Sequence, residues 1–458
     1  MIKRCTVMVL LLAILGGSLY ATDFKVNGVY TAWAQNQQAF TLNADDYNMN
    51  YIVQMLRFKV QGITSDNLKF VTRFDIAQGW WGVDNAMRTI NRLDNRGKSA
   101  LFDFKDKNYL MHVDQAYVDF KHPTLPFNMK VGRMWFGLGN KLMVDNNYEG
   151  VQVGFGSLSL GWAKVSEGAD NTTDEGAYNG DSDLYLGNYK GAFGDFKYNA
   201  FGFYYKENVT DEDTTAYIVD DLQFFRNHDA ATVTQLTAFG ISGSYKAGKL
   251  SFDGEFDYLT GKDEINDLDL SGYNLYAKLS YAQSDKLKLG GIFGLGSGDD
   301  PNEAGFTNVN KLRTSGFFYI TEIWEDSIMP DEEGITPQGL GAPNVRAYRE
   351  LENTTIVQGN ADYKLTSNTS LFLSGSYIIA SNEIMEADAG TYFAGENGST
   401  DLGMEVDFRL KHNVYKNLFF MLRGGYFIPG DAAGYLINGH ADDMDPAYEL
   451  KGMVVYKF

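Results

Sequence analysis

Residues 251–260 read Ser-Phe-Asp-Gly-Glu-Phe-Asp-Tyr-Leu-Thr. Phe252, Phe256 and Tyr258 fall on one parity, and Asp253, Glu255 and Asp257 on the other. Successive residues of a strand face opposite sides, so this segment has one greasy face and one charged face. The same period of two recurs along the chain. Tyr273, Leu275, Ala277, Leu279 and Tyr281 oppose Asn274, Lys278 and Ser280. Leu402, Met404, Val406, Phe408 and Leu410 oppose Glu405, Asp407, Arg409 and Lys411. The chain ends with Tyr448, Leu450, Val454, Tyr456 and Phe458 set against Glu449, Lys451 and Lys457.

A soluble sandwich also alternates, so length has to separate the two. These segments run ~10–13 residues, enough to cross a bilayer at a tilt, whereas ordinary strands average ~5–6. Aromatic pairs and triplets at segment ends, Trp80-Trp81, Tyr204-Tyr205 and Phe317-Phe318-Tyr319, read as interfacial girdles. Connectors alternate short (63–66, 247–249, 284–285, 367–368) with long (80–107, 207–232, 298–352, 429–446). Nine long loops and eight short turns predict an all-β fold, a closed antiparallel transmembrane β-barrel of about 18 strands. The glycine-blurred stretch 147–166 and a candidate extra strand at 315–324 leave about 16 to 20 open. Short turns then face the periplasm and long loops face outward.

Composition agrees with this reading. Of 458 residues, 39 are Lys or Arg and 59 Asp or Glu, a net charge of −20. That balance argues against nucleic acid as a partner, which needs a basic face. A single cysteine, Cys5, excludes a disulfide framework or Cys-rich metal site. Lys3 and Arg4, the apolar run Cys5–Leu15 and small residues up to Ala21 form an export signal, residues 1–21, leaving 22–458 as the barrel. Loss of Lys3 and Arg4 takes the net charge to −22 and removes the thiol. The five histidines show no metal spacing and no catalytic constellation emerges, so neither an enzyme nor a cofactor is expected. Gly294-x-Gly296-x-Gly298 opens no helix and reads as a strand kink rather than a phosphate cradle.

The charged faces should line the lumen. Arg57 and Lys59 share a parity, as do Lys69, Arg73 and Asp75; the four cations form an expected basic wall. Asp253, Glu255 and Asp257 form an acidic wall nine strands away, diametrically across an 18-strand ring, so that a transverse field crosses the pore. Glu405, Asp407, Arg409 and Lys278 complete the expected lumen set, with Tyr117, Tyr276 and Phe372 as candidate aromatic lining. Arg133 follows the outward parity of Phe127, Met129 and Val131, and a bulge at Gly132 would be needed to turn it inward. Loop 80–107, with a short helical turn, and loop 298–352 are too apolar for solvated tips; at least one is expected to fold into the barrel mouth, the alternative being a folded cap outside the pore. Acidic stretches at 211–213, 299–300, 331–333 and 442–445 should stay outside as a cation-concentrating vestibule.

The aromatic last strand ending in Phe458 resembles the C-terminal signature of bacterial outer-membrane proteins, which implies recognition by the barrel-assembly machinery. Gln115-Ala116-Tyr117-Val118-Asp119, Val131-Gly132-Arg133 and Gly137-x-Gly139 resemble the alginate-export-like group of 18-stranded porins. Exporters of acidic polysaccharide in that group are expected to carry an arginine-rich pore; residues 253–257 are acidic instead, so the resemblance implies the architecture and not alginate. The resulting expectation is an outer-membrane porin of a Gram-negative bacterium. It sits among outer-membrane lipid, passes small hydrophilic solutes or ions by diffusion and prefers cations. A homotrimer is an open assembly. The rival readings are a specific channel for an oligosaccharide or organic anion, an adhesion or receptor barrel, and a sheath around an electron-transfer partner.

Overall fold

Period-two patterning closes into a single ring of 18 antiparallel strands. The computed structural model describes residues 23–45, 48–81, 111–166, 182–207, 233–264, 266–301, 305, 307–312, 318–325, 351–387 and 395–458. The export segment, most of loop 80–107 with its helical turn, and the acidic stretches 211–213 and 331–333 lie outside the described residues.

The first six strands are β1 (Asp23–Gln38), β2 (Asn48–Ser65), β3 (Leu68–Trp80), β4 (Met111–Lys121), β5 (Phe127–Gly137) and β6 (Asp145–Phe155). The next six are β7 (Leu158–Ser166), β8 (Ser182–Phe193), β9 (Phe196–Glu207), β10 (Gln235–Ala247), β11 (Leu250–Asp263) and β12 (Leu268–Ala282). The last six are β13 (Leu287–Gly296), β14 (Thr354–Lys364), β15 (Thr369–Met385), β16 (Gly398–Tyr415), β17 (Leu418–Pro429) and β18 (Ala447–Lys457). Each pairs with its chain neighbours, and β1 pairs with β18 from Val29 opposite Lys457 to Gln38 opposite Tyr448. Closure leaves no row of unpaired backbone groups, the condition for a sheet to cross hydrocarbon. The blurred stretch 147–166 resolves into β6 and β7. The described part of the candidate extra strand, 318–324, holds no strand.

The two faces separate as the parity requires. Phe252, Phe256, Tyr258, Leu275, Met404 and Val406 are exposed on the outer surface, while Glu255, Asp257, Glu405 and Asp407 are buried inside. Tyr204 joins the outer aromatics, but Tyr205 points inward and donates to Glu207 at 3.1 Å, because adjacent residues cannot share a face. Phe318 is not on a strand end either; it packs edge-on against Tyr276, 5.3 Å between centroids, inside the ring. Arg133 stays outward. The β4–β5 and β5–β6 registers run through Gly132 without a shift, and Arg133 donates to Glu149 on the next strand at 2.8 Å. Gly132, at φ 125°, answers a different need: a Cβ there would collide with the Ala116 carbonyl.

One element was not expected. The 430–446 connector contains helix α1 (Asp431–Asn438), whose Ala432, Ala433, Leu436 and Ile437 are buried. Gly439, at φ 80°, closes it by donating its N–H to the Tyr435 carbonyl. Eight residues are too few for a helical period to stand out between two glycines.

Candidate functional site

The interior of the ring gathers charge from many strands, and its walls differ from one another. The residues expected as a basic wall do lie together on β2 and β3, with Lys59 directly opposite Arg73. They do not form a simple cationic surface. Arg57 grips Asp75 with two hydrogen bonds of 2.6 Å, Arg73 pairs with Asp114, and Lys69 sits 3.3 Å from Asp119. Asp114 and Asp119 come from β4, and the β3–β4 register slips between Arg73 and Phe74 to bring Asp114 into place. Lys130 of β5 lies over the Tyr117 ring at 5.7 Å. Three of the four expected cations are thus paired, and Lys59, opposite Arg73, makes no ion pair among the described residues.

The acidic wall is nine strands away on β11, as the ring order requires. Only Asp253 of the three remains open to space; Glu255 is 3% and Asp257 0% exposed. The cover is the β5–β6 connector, residues 138–144. It turns inward, and Asn140 donates its backbone N–H to Glu255 and its side-chain amide to Asp253 at 2.9 Å. Leu138, Leu142, Met143 and Val144 are buried behind it. Leu138, Met143 and Val144 join an apolar cluster on the inner wall that includes Phe201, Phe203, Leu236 and Leu259, and Leu142 joins the cluster around Tyr276 and Trp324. A transverse field between two open walls therefore does not describe this lumen: three of the four cations on one wall are ion-paired and two of the three opposing carboxyls are roofed.

The second inward segment comes from the β13–β14 connector. Residues 318–325 lie against the inner faces of β14, β16 and β17. Ile323 and Trp324 donate their backbone N–H groups to the two oxygens of Glu405, at 2.6 and 2.8 Å. Glu322 meets Arg423 at 2.9 Å and Arg409 at 3.5 Å. Gln358 donates to the Ile320 carbonyl at 3.0 Å. The Trp324 ring is fully buried and stacks on Phe427, with centroids 5.2 Å apart. Arg409 also covers Phe372 at 5.1 Å. Asp407, beside Glu405 on β16, accepts from Ser374 at 3.1 Å. The glycine run of β13 is explained here: a Cβ at Gly296 would collide with the Leu351 carbonyl, so small residues give the folded-in chain its room.

Glu255 and Glu405 thus do the same work. Each belongs to a Glu-x-Asp pair, points inward, and accepts backbone N–H groups from a loop that enters the barrel. Strand periodicity locates the glutamates. It does not locate Asn140, Glu322 or Arg423, because their partners lie tens to hundreds of residues away.

Open space remains on the inner side of β8–β13 toward the short turns. A cavity of about 490 Å³ is lined by Asn140, Lys190, Lys197, Asn199, Ser242 and Asp253. A second, of about 300 Å³, adds Lys246, Lys278, Ser280 and Lys288. These five lysines are exposed and make no ion pair among the described residues. Only Lys278 was singled out from the sequence. The others are short-turn residues whose inward parity is visible in retrospect.

No protein-family model matches the sequence, and no curated protein matches it. Solved structures do match, at low identity. Acinetobacter baumannii OccAB4 superposes with a TM-score of 0.54 at 10% identity, covering 96% of this chain and 100% of that one. Pseudomonas aeruginosa OpdK, solved with vanillate, gives 0.52 at 10%, covering 95% and 98%. The P. aeruginosa outer membrane protein OprD gives 0.50 at 12%, covering 96% and 94%. At these identities the likeness is one of fold: a closed barrel of the outer-membrane porin type. The resemblance to the alginate-export-like group finds no support, since the likeness runs to these other barrels and no family model matches.

Proposed function

We propose that the chain is an outer-membrane channel through which small hydrophilic solutes diffuse. The observation that carries this reading is the separation of faces on a closed ring: apolar outside, charged residues and open cavities inside. On this reading the short turns face the periplasm, the long loops face outward, and Phe458 is the handle for assembly. Phe458 is joined to β1 by reciprocal backbone hydrogen bonds with Gly28 and stacks on Tyr456. The two latched segments, 138–144 and 318–325, narrow the passage. Charge selectivity is slight. Asp253 and the net charge of −20 favour cations, while Lys190, Lys197, Lys246, Lys278 and Lys288 oppose them on the same half of the lumen.

Liposome swelling with neutral sugars of graded size tests this. Swelling that falls off with solute size is the expected result; no swelling with any solute in well-inserted liposomes would overturn it.

The lysine-lined cavities favour one second reading, a channel selective for a small organic anion. The vanillate-bound state of OpdK, a barrel of the same fold, gives that reading a precedent. Competition between a benzoate-type anion and a neutral sugar of equal size separates the two.

A further inference from the structure

On one half of the ring the outward face carries an unbroken line of polar side chains. Following the pairing register from strand to strand, Arg133 stands opposite Glu149, Glu149 opposite Lys164, and Lys164 opposite Asp183. Asp183 then faces Lys206, Lys206 faces Gln235, Gln235 faces Lys262, and Lys262 faces Asp269. The row thus crosses all eight strands from β5 to β12. All of these residues share the outward parity of Trp162, Tyr185 and Tyr204. Continued the other way, onto β4, β3 and β2, the same row reads Ala116, Thr72 and Val60 and carries no charge.

Strand tilt places this row relative to the membrane. Strands tilted by roughly 35–45° make a register row climb across a barrel, whereas an aromatic girdle stays level. The girdle shows the climb. Trp135 lies two residues to the loop side of Arg133. Trp162, Tyr185 and Tyr204 lie two residues to the short-turn side of Lys164, Asp183 and Lys206. Phe239, Tyr258 and Tyr273 lie four residues below Gln235, Lys262 and Asp269. So Arg133 and Glu149 sit beneath the girdle, where they neutralise each other at 2.8 Å. From β7 to β12 the row stands just above the girdle, at headgroup height.

We propose that the strip Lys164, Asp183, Lys206, Gln235, Lys262 and Asp269 binds the phosphate-bearing headgroups of lipid in the leaflet at the loop end. Its cations recur on every second strand, on the order of 10 Å apart, above a platform of Trp and Tyr rings that suits the sugar or ester region of a lipid. Tyr185 and Tyr204 stack at 6.3 Å in that platform. Asp183 is already engaged by Lys164 at 3.4 Å and by the Trp162 indole N–H at 3.0 Å, Asp269 lies 3.7 Å from Lys262, and Gln235 donates to Glu264, so Lys206 is the cation of the strip that a phosphate meets first. The exposed ammonium of Lys206 has no ion-pair partner among the described residues, and an ammonium just above a girdle is where a phosphate lies. The inference rests on the channel reading only in that the barrel is membrane-embedded; the strip plays no part in conduction.

The test uses the full chain in neutral detergent, titrated with diphosphoryl lipid A, with dephosphorylated lipid A and with inorganic phosphate. Wild type should bind the diphosphoryl lipid, and K164Q/K206Q/K262Q should bind it about a hundredfold more weakly. K164R/K206R/K262R should bind like wild type, which separates lost charge from lost folding. Equal affinity of wild type and the glutamine variant, equal affinity for the dephosphorylated lipid, loss of binding in the arginine variant, or matching affinity for inorganic phosphate would each overturn the proposal. The glutamine variant should keep wild-type conductance. A silent wild-type barrel that still binds the lipid would defeat the channel reading and leave this one standing.

Discussion

Replacing Glu405 by leucine removes the acceptor that holds the 318–325 segment against the wall. Glu405 is 1% exposed, and its two oxygens receive the N–H groups of Ile323 and Trp324 at 2.6 and 2.8 Å. A buried donor left without a partner costs about 1–3 kcal/mol, so two cost roughly 2–6 kcal/mol. At about 1.4 kcal/mol per tenfold, the balance between seated and released segment shifts by roughly 30-fold to 10⁴-fold. The ladder hydrogen bonds of β16 with β15 and β17 use backbone atoms and stay intact, so the barrel itself should assemble. Single-channel recording of E405L should show either a larger unitary conductance or frequent steps between two levels. E405Q keeps one carbonyl acceptor and should fall between E405L and wild type. Wild-type conductance and wild-type noise in well-inserted E405L channels would refute the latch.

Four further outcomes follow from the same geometry. W324A opens a cavity beside Phe427 and should release the same segment, at a cost of about 3–5 kcal/mol if the site does not collapse; conductance should rise as in E405L, and an unchanged value would count against the latch. R57A leaves Asp75, 4% exposed, without its two-pronged partner and should cost roughly 2–3 kcal/mol after allowing for the partial exposure of Arg57. The midpoint of heat-induced unfolding should drop, and adding D75N should restore part of it. K197Q/K278Q removes two open cations near Asp253 and should move the reversal potential in a salt gradient toward cation selectivity; no movement would mean that these lysines do not face the permeating path. Deleting Phe458 removes its two backbone bonds to Gly28 and should lower the yield of membrane-assembled barrel, measured as the heat-modifiable fraction.

What was legible in the sequence was whatever repeats every two residues. The parity of 251–260 placed Phe252 outside and Glu255 inside, and the same rule sorted residues along β12, β18 and β16 from Met404 onward; Leu402, expected on the Met404 face, is instead buried with the inner cluster because the β15–β16 register slips beside it. Connector lengths then gave the ring order. The interior was legible as a set of side chains but not as an arrangement. Arg57 and Arg73 read as bare cations because their partners on β3 and β4 depend on register and, for Asp114, on a slip of one residue. Glu255 and Glu405 read as pore charges because nothing local says that residues 140 and 323–324 will come in to meet them. Gly132 and Gly296 read as a bulge and a kink, whereas both are clearances for a neighbouring carbonyl. The outward row from Arg133 to Asp269 was invisible for the same reason: its members are spread over 137 positions, and only pairing brings them into line.

The most direct test of the central claim is single-channel conductance of the purified chain in a planar bilayer. Steady openings that scale with salt concentration, with a reversal potential close to zero in a salt gradient, are the predicted result. A barrel that inserts with its native heat-modifiable fold and yet passes no current would contradict the account.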